Sequence, residues 1–177
     1  MDAADFSDFD ITVRDGRAVH IRAMQASDEA EFVQAFGRMD VDARRMRFMR
    51  AVREPNQARL RKVLASFPAD GIGLVATMPA ADGIDIVGST VAVFTRERTS
   101  CEFAITVAAQ FGGSGLATRL MSTLIDAARR RGIVEMEGFV LAVNQPMLRL
   151  ATRLGFSIAP DPEDASVRLC RLRLGKA

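Results

Sequence analysis

Three glycines and a serine occupy four consecutive positions, Gly112-Gly113-Ser114-Gly115, between a strand-like run at residues 101–107 and a helix-period segment that begins at Leu116. No other stretch restricts the chain as tightly. A glycine turn between a strand and a helix leaves several backbone N–H groups unpaired and lets a ligand come close to the main chain. With the helix dipole behind them, those donors make an anion seat, and a pyrophosphate is its natural guest. The helix itself carries Leu116, Leu120, Leu124 and Ala128 on one stripe, with Met121 and Ile125 beside it. Such a face has to be buried against a neighbour. The segment closes on Arg129-Arg130-Arg131-Gly132, where the dipole favours cations and a left-handed cap favours glycine.

A further β-rich run follows at residues 134–143, so strand, helix and strand predict a right-handed parallel crossover. Upstream, residues 72–78 and 84–94 are β-rich and separated by Pro79, Ala80, Ala81, Asp82 and Gly83, which have the chemistry of a turn. With residues 101–107 they form an antiparallel meander. The loop lacks the Lys-Ser or Lys-Thr ending of a nucleotide P-loop. Its glycines also follow a meander, not the first strand of a parallel sheet, which argues against a dinucleotide fold.

Residues 18–24 alternate in the manner of a half-buried strand. Ser27 is expected to cap the helix after it, with Asp28, Glu29 and Glu31 at the positive end. Asp40 is expected to cap a short turn through Phe48, and Pro55 to stand in the first turn of a helix reaching about Phe67. A short helix at 145–154, stopped by Gly155, and a last strand at 167–174 complete the pattern. Residues 1–10 hold four aspartates and no base and read as an acidic, flexible tail. The expected organisation is a lead-in at residues 1–17 and a single domain at 18–177. The fold class is α/β, a mixed, mostly antiparallel sheet with one parallel strand pair and flanking helices.

Composition narrows the function classes. Hydrophobic residues make up 49% and charged residues 26%, ordinary for a globular protein. No apolar run approaches the roughly 18 residues of a membrane span, and the acidic N-terminus is the opposite of a secretory one. A cytoplasmic protein without a membrane partner is expected. Cys101 and Cys170 sit in apolar runs and read as buried free thiols. The lone histidine, His20, alternates with Val19 and Ile21 and reads as structural; no metal is expected. Net charge is only +2, yet residues 38–62 hold nine Lys or Arg against Asp40, Asp42 and Glu54. That segment suits an acidic ligand or partner, or is a solvated helical face. Without Trp or Tyr, nucleic acid is not an expected partner.

Phe111-Gly-Gly-Ser-Gly-Leu-Ala, followed by Arg119-Leu-Met-Ser-Thr-Leu-Ile-Asp-Ala-Ala-Arg, resembles the acyl-CoA-binding motif of the GNAT superfamily. That motif reads Gln or Arg, two residues, Gly, one residue, then Gly or Ala. Gln110, Gly113 and Gly115 fit one register. Gly112, Gly115 and Ala117 fit another, which is preferred because Phe111 then takes the usual aromatic place; in it the Gln or Arg is missing. The resemblance continues in Asn144, Met147, Leu148, Leu150, Arg153, Gly155 and Phe156, similar to the second GNAT signature. Ile21-Arg22, Asp28 and Phe32 resemble the opening strand and helix. Arg44-Arg-Met-Arg47-Phe48, with Cys101-Glu102-Phe103-Ala104-Ile105, resembles more narrowly the GNAT domain of bacterial protein lysine acetyltransferases.

The resemblance implies a GNAT fold with a splayed parallel pair, and a CoA thioester, acetyl-CoA, as acyl donor. It implies a cofactor site at Ile105, Thr106, Val107, Gly112, Gly113, Ser114, Gly115, Leu116, Ala117, Asn144 and Met147. The acceptor it implies is a protein lysine; a small amine, or a non-catalytic acyl-CoA-sensing module, are the alternatives. Amide formation needs a neutral amine, so a base must take a proton. Glu102, on the strand entering the loop, is the candidate, against the alternative of an exposed carboxylate pairing with Arg96 or Arg98. A backbone N–H near Ile105 to Val107 is expected to polarise the thioester oxygen. The family's usual general acid is a tyrosine, but its place here is Ala151, leaving water, Ser166 or Thr152. Arg119 is expected either within reach of a phosphate or in solvent.

Overall fold

In the computed structural model, which describes residues 6–175, the meander and the crossover join in one eight-stranded sheet of order β1-β2-β3-β4-β5-β6-β8-β7. Its strands are β1 (Phe9–Thr12), β2 (Ala18–Ala23), β3 (Gly71–Ala80), β4 (Gly83–Phe94), β5 (Ser100–Val107), β6 (Glu135–Leu141), β7 (Ser157–Pro160) and β8 (Val167–Arg173). The helices are α1 (Glu29–Arg38), α2 (Val41–Phe48), α3 (Gln57–Ser66), α4 (Leu116–Arg130) and α5 (Gln145–Arg153). All strand pairs are antiparallel except β5 with β6. Among the described residues, no helix is long and apolar enough to cross a membrane.

The stripe on α4 behaves as its period requires. Leu116, Leu120, Met121, Leu124 and Ala128 are fully buried and Ile125 nearly so. The helix lies across β3, β4 and β5 and comes closest over Gly88, where a Cβ would stand 3.0 Å from Leu120 Cδ1. Gly132, at φ 78°, ends it.

Three local expectations change. The acidic segment is not a tail as far as residue 10, because Phe9–Thr12 pairs with β2 from Phe9↔Ile21 to Thr12↔Ala18. His20 Nδ1 lies 2.8 Å from Asp10 Oδ1 and ties the two strands together; residues 1–5 of that reading lie outside the described residues. Ser27 is not the cap of α1. Asp28 holds the cap position without a side-chain cap bond; its carboxylate accepts instead from the Gln25 N–H at 2.8 Å and from Arg22 Nη1 and Nη2 at 2.9 and 2.8 Å. Pro55 precedes α3 instead of opening it; Asn56 caps, accepting from the Arg59 N–H at 3.0 Å.

The Arg22–Asp28 pair is nearly buried, with side chains 17% and 4% exposed. Asp28→Ala would leave the guanidinium uncompensated, at a cost of about 3 kcal/mol. Thermal unfolding should then show Tm lowered by roughly 5–10 °C; an unchanged Tm would count against a structural role for the pair.

Candidate functional site

Glycine chemistry shapes the β5–α4 junction. Gly113 and Gly115 hold φ 70° and 91°, left-handed values that side chains resist. Ser114 is buried, and its hydroxyl donates to the Phe111 carbonyl at 2.6 Å while accepting from the Leu116 N–H at 3.3 Å. Its N–H also reaches the Phe111 carbonyl, at 3.2 Å. Ser114 therefore offers a ligand no free donor, and it braces the loop from within. Leu116 likewise has its side chain in the core and its N–H on Ser114. Among the described residues, the N–H groups of Gly113, Gly115, Ala117 and Thr118 have no protein acceptor. Four free donors at the start of a 15-residue helix make an anion seat.

Beside this seat the sheet opens. The β5–β6 ladder runs only from Ser100↔Glu135 to Glu102↔Glu137, although β5 continues to Val107 and β6 to Leu141. The β6-facing edge of residues 103–107, including Ile105, Thr106 and Val107, is thus unpaired, while its other edge holds β4 from Gly88↔Val107 to Phe94↔Cys101. Alternate residues of an antiparallel strand turn their N–H and C=O to each side, so this edge presents backbone groups to whatever enters the opening. At the far wall, Asn144 caps α5, its Oδ1 accepting from the Met147 N–H at 3.3 Å. Met147 is half-buried against the core.

Glu102 lies at the last paired row before the strands part. Register aligns Val93, Glu102, Glu137 and Arg171 across four neighbouring strands, all on one side of the sheet. Arg171 Nε donates to Glu137 Oε2 at 3.3 Å. The Glu102 side chain is open to solvent yet partly desolvated, and that burial, reinforced by the charge of Glu137, holds its pKa above the usual carboxylate range. Arg59 and Arg47 pull the other way. The expected alternative does not form: Arg98 pairs with Asp70 at 3.1 Å.

Other expected participants are buried or have partners of their own. Ala151 is fully buried, so the place of the missing tyrosine faces the core. Thr152 Oγ1 donates to the Leu148 carbonyl at 2.9 Å, and Ser166 Oγ to Asp164 at 2.6 Å. The Arg119 guanidinium lies over the Phe9 ring, 4.9 Å from its centroid. Cys101 and Cys170 are fully buried, and burial pushes the Cys101 thiol up to about 12, so it is no thiolate nucleophile at neutral pH. In the basic segment, Arg38 reaches Asp85, Arg44 the Phe36 carbonyl and Arg61 Glu29. Those three of the nine basic residues are engaged internally.

Two groups escaped the sequence reading. Glu137 could not be singled out without the strand register. Arg14 and Arg17, from the β1–β2 turn, contact the glycine loop directly. The Asp15-Gly16 turn between two short apolar runs was the available signal for that hairpin.

Comparison with known proteins agrees with this geometry. The family model described as acetyltransferase (GNAT) domain matches residues 18–157. Acetyltransferase PA5475 of Pseudomonas aeruginosa is 32% identical over 160 residues, covering 90% of this chain and 86% of the relative. The GNAT domain of S. lividans PAT superposes with TM-score 0.84 at 19% identity, covering 94% of this chain and 97% of that one. The yncA protein of Salmonella typhimurium, a structure with its cofactor acetyl-CoA, gives TM-score 0.67 at 21% identity, covering 90% and 95%. A glycine-built anion seat beside a splayed parallel pair, on a chain so matched, identifies this protein as a member of the GNAT acetyltransferase family.

Proposed function

We propose that the protein transfers acetyl from acetyl-CoA to an amine, foremost a protein lysine, with Glu102 as general base, and that it does so in the cytoplasm. The observation that carries this reading is the position of Glu102, exposed at the row where β5 and β6 part. The residues present fit the donor. Free N–H groups of Gly113, Gly115, Ala117 and Thr118 suit a pyrophosphate. The unpaired edge at 103–107 suits the amide-bearing arm of CoA, in the manner of an added strand. Acetyl-CoA supplies a thioester carbonyl to the amine.

Glu102 takes the proton released as the C–N bond forms, and the C–S bond breaks to a thiolate. With a pKa of roughly 8.5, by analogy with cysteine, that sulfur leaves without a strong acid, consistent with the buried Ala151. The exposure of Glu102 suits a side chain presented from a protein surface. Helix α2 exposes Val41 and Phe48 and the residue after it, Met49, at 74%, 37% and 39%, with Arg45 and Arg50 also exposed. Steady-state assays with acetyl-CoA should show CoA release with acyl-CoA synthetases, or lysine peptides from them, as acceptors. Turnover confined to a panel of small amines would replace the lysine reading, and tight CoA binding with turnover on neither would support a sensing module.

Gly115→Val tests the seat. Its φ of 91° costs a β-branched residue about 1–2 kcal/mol, and relief of that strain turns the Gly115 N–H away. Calorimetric titration should show CoA affinity at least about tenfold weaker. Wild-type affinity in this variant would remove the loop from the site.

A further inference from the structure

The β1–β2 turn lies almost 100 residues before the glycine loop in sequence, yet four contacts bind them. The Arg14 N–H donates to the Ser114 carbonyl at 3.2 Å. Arg14 Nη1 donates to the Gly113 carbonyl at 3.3 Å, and Arg17 Nη2 to the Gln110 carbonyl at 2.7 Å. The Arg17 guanidinium also stacks on the buried Phe111 ring, 3.8 Å from its centroid. Asp15 fixes that guanidinium in turn, accepting from Nε with both oxygens at 2.9 Å.

Peptide planarity converts this grip into aim. In a trans peptide unit the C=O and the following N–H point in opposite directions. The 113–114 unit is held at both ends, its carbonyl by Arg14 and its N–H by the Phe111 carbonyl. The 114–115 unit is held at its carbonyl alone, which turns the free Gly115 N–H away from the hairpin. Glycines at left-handed φ would otherwise let both planes rotate freely.

We propose that Arg14 and Arg17 are positioning residues of the cofactor seat: from the N-terminal hairpin, they fix the peptide planes of the loop so that its free N–H groups converge on the CoA pyrophosphate. This rests on the acetyl-CoA reading above. It also gives the hairpin a function in a chain whose loop carries Gly112 where the family motif has Gln or Arg.

Two measurements on the full chain test it. In the free protein, amide hydrogen exchange at Ser114 and Leu116, whose N–H groups are bonded to the Phe111 carbonyl and the Ser114 hydroxyl, should quicken in Arg14→Ala and Arg17→Ala while the α4 core amides keep their protection. In calorimetry, each variant should bind CoA and 3′-dephospho-CoA about tenfold more weakly, to equal extents. Arg17→Lys should not rescue, because an ammonium keeps the charge but loses the planar stack. Unchanged exchange, or a loss confined to CoA and absent with dephospho-CoA, would overturn the proposal; the latter would make Arg14 a simple counter-charge to the 3′-phosphate. Should the wild type bind no CoA, the acetyl-CoA reading fails, and the aim on CoA that was built on it fails too. Should the wild type bind and the variants bind equally, only the positioning role fails. Arg14→Ala leaves the Arg17 stack in place, so it separates loss of aim from loss of fold.

Discussion

Glu102→Gln should lower kcat by about 10²–10⁴-fold, the range for removal of a general base, and leave CoA affinity unchanged. The residual rate should also lose its acidic limb. With Glu102 as the proposed base, that limb in the wild type is expected to follow Glu102 ionisation, which partial burial and Glu137 hold above the ordinary glutamate value. Glu137→Gln removes the like charge from the neighbouring strand and should move the limb to lower pH. The register pairs Glu102↔Glu137 and Glu137↔Arg171 make this a local effect, opposed only by Arg59 and Arg47. A carboxyl whose folded pKa is raised binds more protons native than unfolded, so its contribution to stability declines as pH rises through that interval. Glu102→Gln should therefore be no less stable than wild type at neutral pH. Activity against pH, read by thiol release at saturating acetyl-CoA, checks both; full turnover of Glu102→Gln would dismiss Glu102 as the base.

What the sequence revealed was set by period. The α4 stripe repeats over four turns and is buried along its whole length, and the long strands β3 and β4 alternate or run apolar. The short edge strands carry no such signal. Every residue of β7 is exposed, so nothing in its pattern marks a sheet, and β1 is four residues long with Asp10 inside it. Their assignment comes from their pairing partners instead: Arg171 for Ser157, Ile21 for Phe9. Asp28 is a similar case, because its buried carboxylate is held by Arg22 from a strand.

The site divides along the same line. Glu102 and the glycine loop could be read locally, because strand, turn and helix are consecutive. Ser114 was legible as a loop residue, but its hydroxyl bonding to Phe111 depends on how the 3-10 turn at Ala109–Phe111 folds back. Arg14, Arg17 and Glu137 reach the site only through pairing across the sheet. Ala151 marks an absent tyrosine in sequence, and only its complete burial shows that the position faces the core.

Gly138→Val should be the most damaging single change at the strand opening. Gly138 stands on β6 one residue past the last paired row, and Phe103 holds the same place on β5. The Phe103 ring occupies the space a side chain would need: a Cβ on Gly138 would come within 2.6 Å of Cζ and 2.8 Å of Cδ1. The ring cannot swing away cheaply, because it is 5% exposed and packs on Phe156 with centroids 5.2 Å apart. Overpacking of this kind costs about 1–3 kcal/mol for a methyl group, and the branched side chain of Val brings two more. Gly138→Ala should show the smaller loss and Gly138→Val the larger, both in thermal unfolding and in CoA titration, since a displaced Phe103 shifts the β5 edge beside it. Phe103→Leu supplies the control. Alone it leaves a cavity and destabilises; combined with Gly138→Ala, the added methyl fills part of that space, so the double variant should lose less than the sum of the two. Strict additivity would mean that Phe103 and Gly138 do not compete for one volume.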